Sequence, residues 1–330
     1  VAWIIIYLQI VSKYKRFNSI PYNRITCEEE RAYMSTEQRP SSTAIHPGTT
    51  IGLVTLRVSD LERSRRFYEG ILAFQPIEQA DGRIILGGQD KQPLLELIEV
   101  PGAAPQPRRA TGLYHVAIVF PTRPDLGREL LRVARAGVQI GQGDHLVSEA
   151  LYISDPDGNG LELYRDRPRS EWHWTNGMVE MTTDPVNIRS MAAEGERDAE
   201  PWDVIPAGTR VGHIHLQIGD IAEARKFYHT ILGFDVTADL AEAGALFVSA
   251  GGYHHHIGLN TWHSRGASPT PANAAGLHMY RIAIPTREGL QEIKERLLAH
   301  QIPFEEQEDH IRVSDPWSNQ ILLSVAAIGS

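Results

Sequence analysis

The segment from Ile51 to Phe74, IGLVTLRVSDLERSRRFYEGILAF, opens with alternating apolar and polar positions, which predicts a strand with one buried face. Asp60 then stands where a helix N-cap belongs, and the residues after it predict a helix ending near a Phe-Tyr and an Ile-Leu pair. The same order of strand, acidic cap and helix returns at Val211 to Phe234, VGHIHLQIGDIAEARKFYHTILGF, with Asp220 as the cap. A second matching pair, GLYHVAIVFPTRPDLGRELLRVARAGV (Gly112 to Val138) and GLHMYRIAIPTREGLQEIKERLLAHQI (Gly276 to Ile302), predicts a strand, a Pro-Thr-Arg turn and a helix. Each of these runs on to a Ser-Asp-Pro turn and a closing strand, Tyr152 to Tyr164 and Ile311 to Leu323. Glu162 in the first closing strand is replaced by Leu322 in the second.

The repeats predict four units of strand, helix and about three further strands, in two duplicated halves at 51–165 and 211–325. The connection between them, 166–210, is rich in Trp, Pro and charge and predicts an ordered link with a short helix rather than a flexible Gly/Ser linker. Residues 1–50 read as an N-terminal extension, disordered or added by an upstream start, with Met34 opening a polar lead-in. Its apolar VAWIIIYLQIV is too short for a membrane span, and the KYKR that follows is on the wrong side for a secretory signal; a membrane-contacting segment is the second reading.

Composition narrows the partners. The chain has 330 residues, 42% hydrophobic and 22% charged, as expected of a soluble globular protein. A net charge of -9 and a pI near 5.9 weigh against nucleic acid, which is bound through clustered Lys and Arg, and favour a small-molecule substrate with no membrane partner. The sole cysteine, Cys27, lies outside the repeats, so neither a disulfide framework nor a thiolate metal site is expected, in keeping with a reducing cytoplasm.

The βαβββ units, the FY…ILGF helix ends and the DPDGNGLELY closing strand together resemble the vicinal oxygen chelate superfamily, over nearly all of the chain after Gly52. That family includes glyoxalase I, the fosfomycin and bleomycin resistance proteins and the type I extradiol catechol dioxygenases. The resemblance implies an α+β fold of four βαβββ modules in two duplicated halves, forming incomplete barrels around a metal held by first and last strands of a unit. At the corresponding first-strand positions stand Thr55, His115, His215 and Met279. The closing strands offer Glu162 in the second unit, Leu322 in the fourth, Tyr253 to His256 in the third and only LLELIEV in the first. One metal site is therefore expected across the halves, in units two and three, with two pairing with three and one with four.

A lone His or Glu on a strand is more often a satisfied polar residue than a ligand, but here several repeat positions change together. His115, His215 and Glu162 would supply the two-histidine, one-carboxylate set associated with non-haem Fe(II), or with Mn(II). By resemblance to extradiol dioxygenases, His255 takes the acid/base role, with His254 and His256 as alternatives one residue away. Likewise His145 and Tyr152 would contact substrate, and Gln217 would lie near bound oxygen. The implied activity is extradiol cleavage of catechol or a simple substituted catechol by O2, in aromatic catabolism, by a homo-oligomer. A glyoxalase-type isomerase or lyase would need a second carboxylate where His254 to His256 stand. A drug-binding resistance protein would need an aromatic cleft, for which Trp172, Trp174 and Trp262 are candidates.

Overall fold

A computed structural model describes residues 44–198 and 202–325, so the apolar start of the chain and Met34 lie outside the described residues. From Ile45 onward the chain clusters as one unit. It begins with β1 (Thr50–Val58), α1 (Leu61–Tyr68), β2 (Gln75–Ala80), β3 (Arg83–Gly87) and β4 (Pro93–Glu99). The second module is β5 (Gly112–Val119), α2 (Arg123–Arg135), β6 (Gly141–Asp144), β7 (Ser148–Ser154) and β8 (Gly160–Asp166). A short hairpin, β9 (Trp174–Thr175) with β10 (Met178–Val179), and α3 (Ile188–Arg197) form the connection. The third module is β11 (Arg210–Gln217), α4 (Ile221–Ala224) running into a π-helical stretch (Arg225–Ile231), β12 (Asp235–Leu240), β13 (Ala245–Ser249) and β14 (Ile257–Asn260). The fourth is β15 (Gly276–Ile284), α5 (Arg287–Ala299), β16 (Phe304–Gln307), β17 (His310–Ser314) and β18 (Gln320–Val325).

The caps follow the sequence. Asp60 and Asp220 accept the backbone N–H of Arg63 and Glu223, and the Pro-Thr-Arg turns place Thr122 and Thr286 to cap α2 and α5 in the same way. The two Ser-Asp-Pro turns are also built alike. Asp155 accepts the N–H of Asp157 and Asn159, and Asp315 accepts those of Trp317 and Asn319. Each aspartate then receives a tyrosine hydroxyl from the helix of the preceding module: Tyr68 to Asp155 at 3.0 Å and Tyr228 to Asp315 at 2.8 Å.

Two eight-stranded sheets result, and each draws one module from either half. One runs β12-β13-β14-β11-β5-β8-β7-β6, the other β16-β17-β18-β15-β1-β4-β3-β2. Modules two and three therefore pair through antiparallel β5 and β11, and modules one and four through β1 and β15, as the distribution of polar positions predicts. The main core contains aliphatic and aromatic side chains from all four modules. No helix among the described residues is long and apolar enough to cross a membrane.

Candidate metal centre

The centre lies where β8, β5 and β11 run side by side. Register brings Glu162 opposite Ala117, and Ala117 opposite His213, so a carboxylate and an imidazole flank a small side chain in one row of the sheet. His115, two residues before Ala117 on β5, projects from the same face. The three donor atoms converge within 4.8 Å of one another. Glu162 Oε2 is 2.9 Å from His115 Nε2 and 3.1 Å from His213 Nε2, and all three residues are buried.

His215, expected from the sequence as the third member of this set, does not join it. The register opposes His215 to His115 itself, one row away from Glu162. Its Nε2 lies 3.1 Å from the Asn260 side-chain amide, and its ring packs against Tyr114, Phe247 and Trp262. The cause is local. Gly212 is an extra residue on β11 between the pairs Val211–Ile118 and His213–Ala117, and Tyr114 is an extra residue on β5 between the pairs formed by Leu113 and His115. Gly212 is required there, because a Cβ would sit 1.8 Å from the Tyr164 hydroxyl. His213 and His215 share one strand face, so alternation alone could not separate them. Spacing to the helix cap does separate them, because His115 and His213 each stand seven residues before Thr122 and Asp220, whereas His215 stands five before Asp220.

Electrostatics favour a neutral His213 beside a charged carboxylate. Burial would push the Glu162 carboxyl up, but His213 and His115 beside it outweigh this and hold it well below the usual carboxylate range. Burial lowers His213 to about 4 against the opposing pull of Glu162, so its ring is neutral at physiological pH. Although His115 Nε2 is 2.9 Å from Glu162 Oε2, it makes no hydrogen bond to it. Two donor atoms that close without a hydrogen bond suit lone pairs aimed at a common third point. Two imidazole nitrogens and one carboxylate oxygen in a buried pocket fit a divalent first-row metal with open positions.

The other residues singled out by sequence are distributed around this set. His255 packs against His213 with ring centroids 4.1 Å apart and the rings tilted by 50°, and burial, reinforced by the neighbouring histidines, holds it well below its ordinary value. His254 points instead to Asp166, and His256 accepts the Ala250 N–H away from the centre. The turn that presents them needs Gly251 and Gly252, both at positive φ, and a Cβ on Gly251 would meet the Pro47 carbonyl at 2.1 Å. His145 and Tyr152 form a pair at 2.7 Å. The Thr182 carbonyl, 2.7 Å from His145 Nδ1, can only accept, so in the neutral ring Nε2 is left to accept the Tyr152 hydroxyl proton. Tyr152 faces the centre, its ring 5.6 Å from that of His115. Gln217 donates to the Leu113 carbonyl at 3.2 Å and ties β11 to β5. Of the tryptophans, Trp172 packs with Tyr253 and His254, and Trp262 closes the His215 side. Trp174 is exposed.

In the other sheet the same row is filled. Arg281 stands at the position of Ala117, opposite Leu322, and its guanidinium bonds to the Ser324 hydroxyl and the Val325 carbonyl. No metal-binding group is found in that sheet among the described residues.

Two paired half-barrels with a buried His-Glu-His set at one of them define a family. The chain belongs to the Glyoxalase/Bleomycin resistance protein/Dioxygenase superfamily, whose model matches residues 50–163 and 210–316. Within it, the chain is 45% identical over 285 residues to the Catechol-2,3-dioxygenase of Bacillus subtilis (strain 168), covering 86% of this chain and 99% of that protein. It is 29% identical over 137 residues to Biphenyl-2,3-diol 1,2-dioxygenase 3 of Rhodococcus globerulus, covering 40% of this chain and 72% of that one. The crystal structure of glyoxalase I from Zea mays superposes with a TM-score of 0.52 at 14% identity, covering 84% of this chain and 92% of that one, a likeness of fold alone. The protein is an enzyme of the dioxygenase branch of this family.

Proposed function

We propose that the protein is an extradiol ring-cleaving dioxygenase acting on catechol or a simple substituted catechol, with Fe(II) held by His115, His213 and Glu162. The observation that carries this reading is the single buried carboxylate oxygen lying 2.9 and 3.1 Å from the Nε2 atoms of two histidines from different halves of the chain. The 45% identity to a Catechol-2,3-dioxygenase supplies the substrate class. Bound there, iron would offer adjacent open positions to a vicinal diol and to dioxygen, and so bring both reactants into one coordination sphere.

The protein's own groups supply the rest. His255, neutral and packed on His213, takes a proton from a substrate hydroxyl and returns it as the ring opens. Tyr152, held by His145 at 2.7 Å, presents its hydroxyl toward charge that develops on substrate oxygen. Tyr114 and Trp262, 5.5 Å apart, wall the His215 side and exclude water from an aromatic ring seated against them. We assign His215 to this wall. A glyoxalase-type reaction would call for a second carboxylate on the paired module, but β14 and the turn before it contribute His254 to Asn260 and no acidic residue.

The test is anaerobic loading with Fe(II), followed by catechol and air. Yellow ring-opened semialdehyde with one O2 consumed per catechol is the expected result. Intact catechol in the presence of bound iron, or turnover of a methylglyoxal–glutathione adduct with Ni(II) or Zn(II), would contradict the reading.

A further inference from the structure

We infer that Asp166 and His254 are positioning residues that fix the imidazole of His255 with its hydrogen on Nδ1 and its lone pair on Nε2, so that His255 is held ready as a base. The inference rests on the role proposed for His255 above. His254 Nε2 lies 2.8 Å from Asp166 Oδ1, and His254 Nδ1 lies 2.8 Å from His255 Nδ1. A carboxylate can only accept, so Nε2 of His254 carries a hydrogen. The neutral ring then has only a lone pair at Nδ1, and the facing nitrogen of His255 must be the donor. That leaves Nε2 unprotonated on a His255 ring that packs against His213.

Further partners hold the order of protons. Asp166 also accepts the Tyr253 hydroxyl at 2.9 Å, and the Tyr253 oxygen in turn lies 2.6 Å from the Tyr164 hydroxyl. The chain therefore reads Tyr164 to Tyr253 to Asp166 from one side, and His255 to His254 to Asp166 from the other, with every hydrogen pointing toward one carboxylate. Burial raises Asp166, but His254, Tyr253 and Arg210 outweigh it and keep the carboxyl ionised. The rival arrangement is an imidazolium at His254 that donates from both nitrogens, which would leave the hydrogen of His255 on Nε2. The two arrangements place the His255 hydrogen on opposite ring nitrogens, a difference that ring-15N spectra read directly. When His255 accepts a substrate proton at Nε2, its Nδ1–H bond to His254 strengthens and Asp166 balances the charge. The same proton leaves from Nε2 later, so no net proton is gained or lost.

The repeat bears on this as well. Glu162, Tyr164 and Asp166 lie on one face of β8 at spacing two, and the matching positions in the fourth module are Leu322, Ser324 and Ala326. The register of β1 with β4, set beside that of β11 with β14, puts Gln92 and Pro93 at the places of His254 and His255. The carboxylate and both imidazoles of the relay are thus absent from the outer pair of modules, together with the metal-binding set.

Two measurements test this. Ring-15N histidine spectra of the full chain, as purified and with diamagnetic Zn(II), should show His254 protonated at Nε2 alone and His255 protonated at Nδ1 alone. A doubly protonated His254, or a hydrogen on Nε2 of His255, overturns the inference without any variant. In the Fe(II)-loaded enzyme, Asp166→Ala should lower kcat at least 100-fold, within the usual range for a general base, with KM and iron content within twofold of wild type. Asp166→Glu should regain at least tenfold of that loss. A kcat within twofold of wild type, or loss of iron together with activity, overturns it. Failure of the wild-type enzyme to cleave catechol would count against the proposed function, while the spectra would still decide the tautomer.

Discussion

Glu162 is the residue on which the centre turns, because it faces two imidazoles that come from opposite halves of the chain. Removing it as Glu162→Ala, or removing one imidazole as His213→Ala, should strip the protein of metal, with iron falling below about a tenth of wild type by elemental analysis. His215→Ala should retain it, since His215 bonds to Asn260 and stands one row away. His255→Ala should also keep its iron while kcat falls by roughly 10²–10⁴, the span of general acid–base contributions. Burial holds His213 at about 4, so protonation of this ring does not compete with metal at neutral pH.

At the scale of elements, β8 does several jobs with one strand. Its preceding turn is anchored by the buried contact of Tyr68 with Asp155, which the later copy repeats between Tyr228 and Asp315. Tyr68→Phe or Tyr228→Phe leaves a buried carboxyl short of a donor and should each cost about 1–3 kcal/mol in chemical denaturation. Both turns, the caps at Asp60, Asp220, Thr122 and Thr286, and the pairing of modules were legible in the sequence, because each rests on local chemistry or on repetition. The choice between His213 and His215 was legible only in a spacing that strand alternation misses: His115 and His213 each stand seven residues before the cap of the helix that follows, Thr122 and Asp220, and His215 stands five before it. Asp166 was hidden. It ends a strand and reaches its partners across a distance of 87 and 88 residues in the chain.

The whole molecule is tied together by pairing between its halves. β5 needs β11, and β1 needs β15, so a chain cut at the connection would expose two sheet edges in each piece. The separate halves should therefore aggregate or fail to bind metal, while the intact chain unfolds in one transition, as circular dichroism and metal release would show together. Glu129 on α2 adds a pH dependence. Burial, only partly offset by Arg132, raises its carboxyl from 4.5 to about 8, and neither oxygen has a hydrogen-bond partner. Between those values the unfolded chain gives up a proton that the folded chain keeps, so stability falls as pH rises and the full cost is reached above the folded value. Glu129→Gln should leave stability unchanged near pH 4 and raise it by on the order of 4 kcal/mol near pH 9, read from denaturation midpoints.

The centre shared between the halves is tested most directly by anomalous diffraction from crystals of the Fe(II)-loaded protein at the iron edge. A single peak within bonding distance of His115 Nε2, His213 Nε2 and the Glu162 carboxylate is the expected result. A peak bound by His215 in place of His213, a peak in the outer sheet near Arg281, or no ordered peak at all would contradict it.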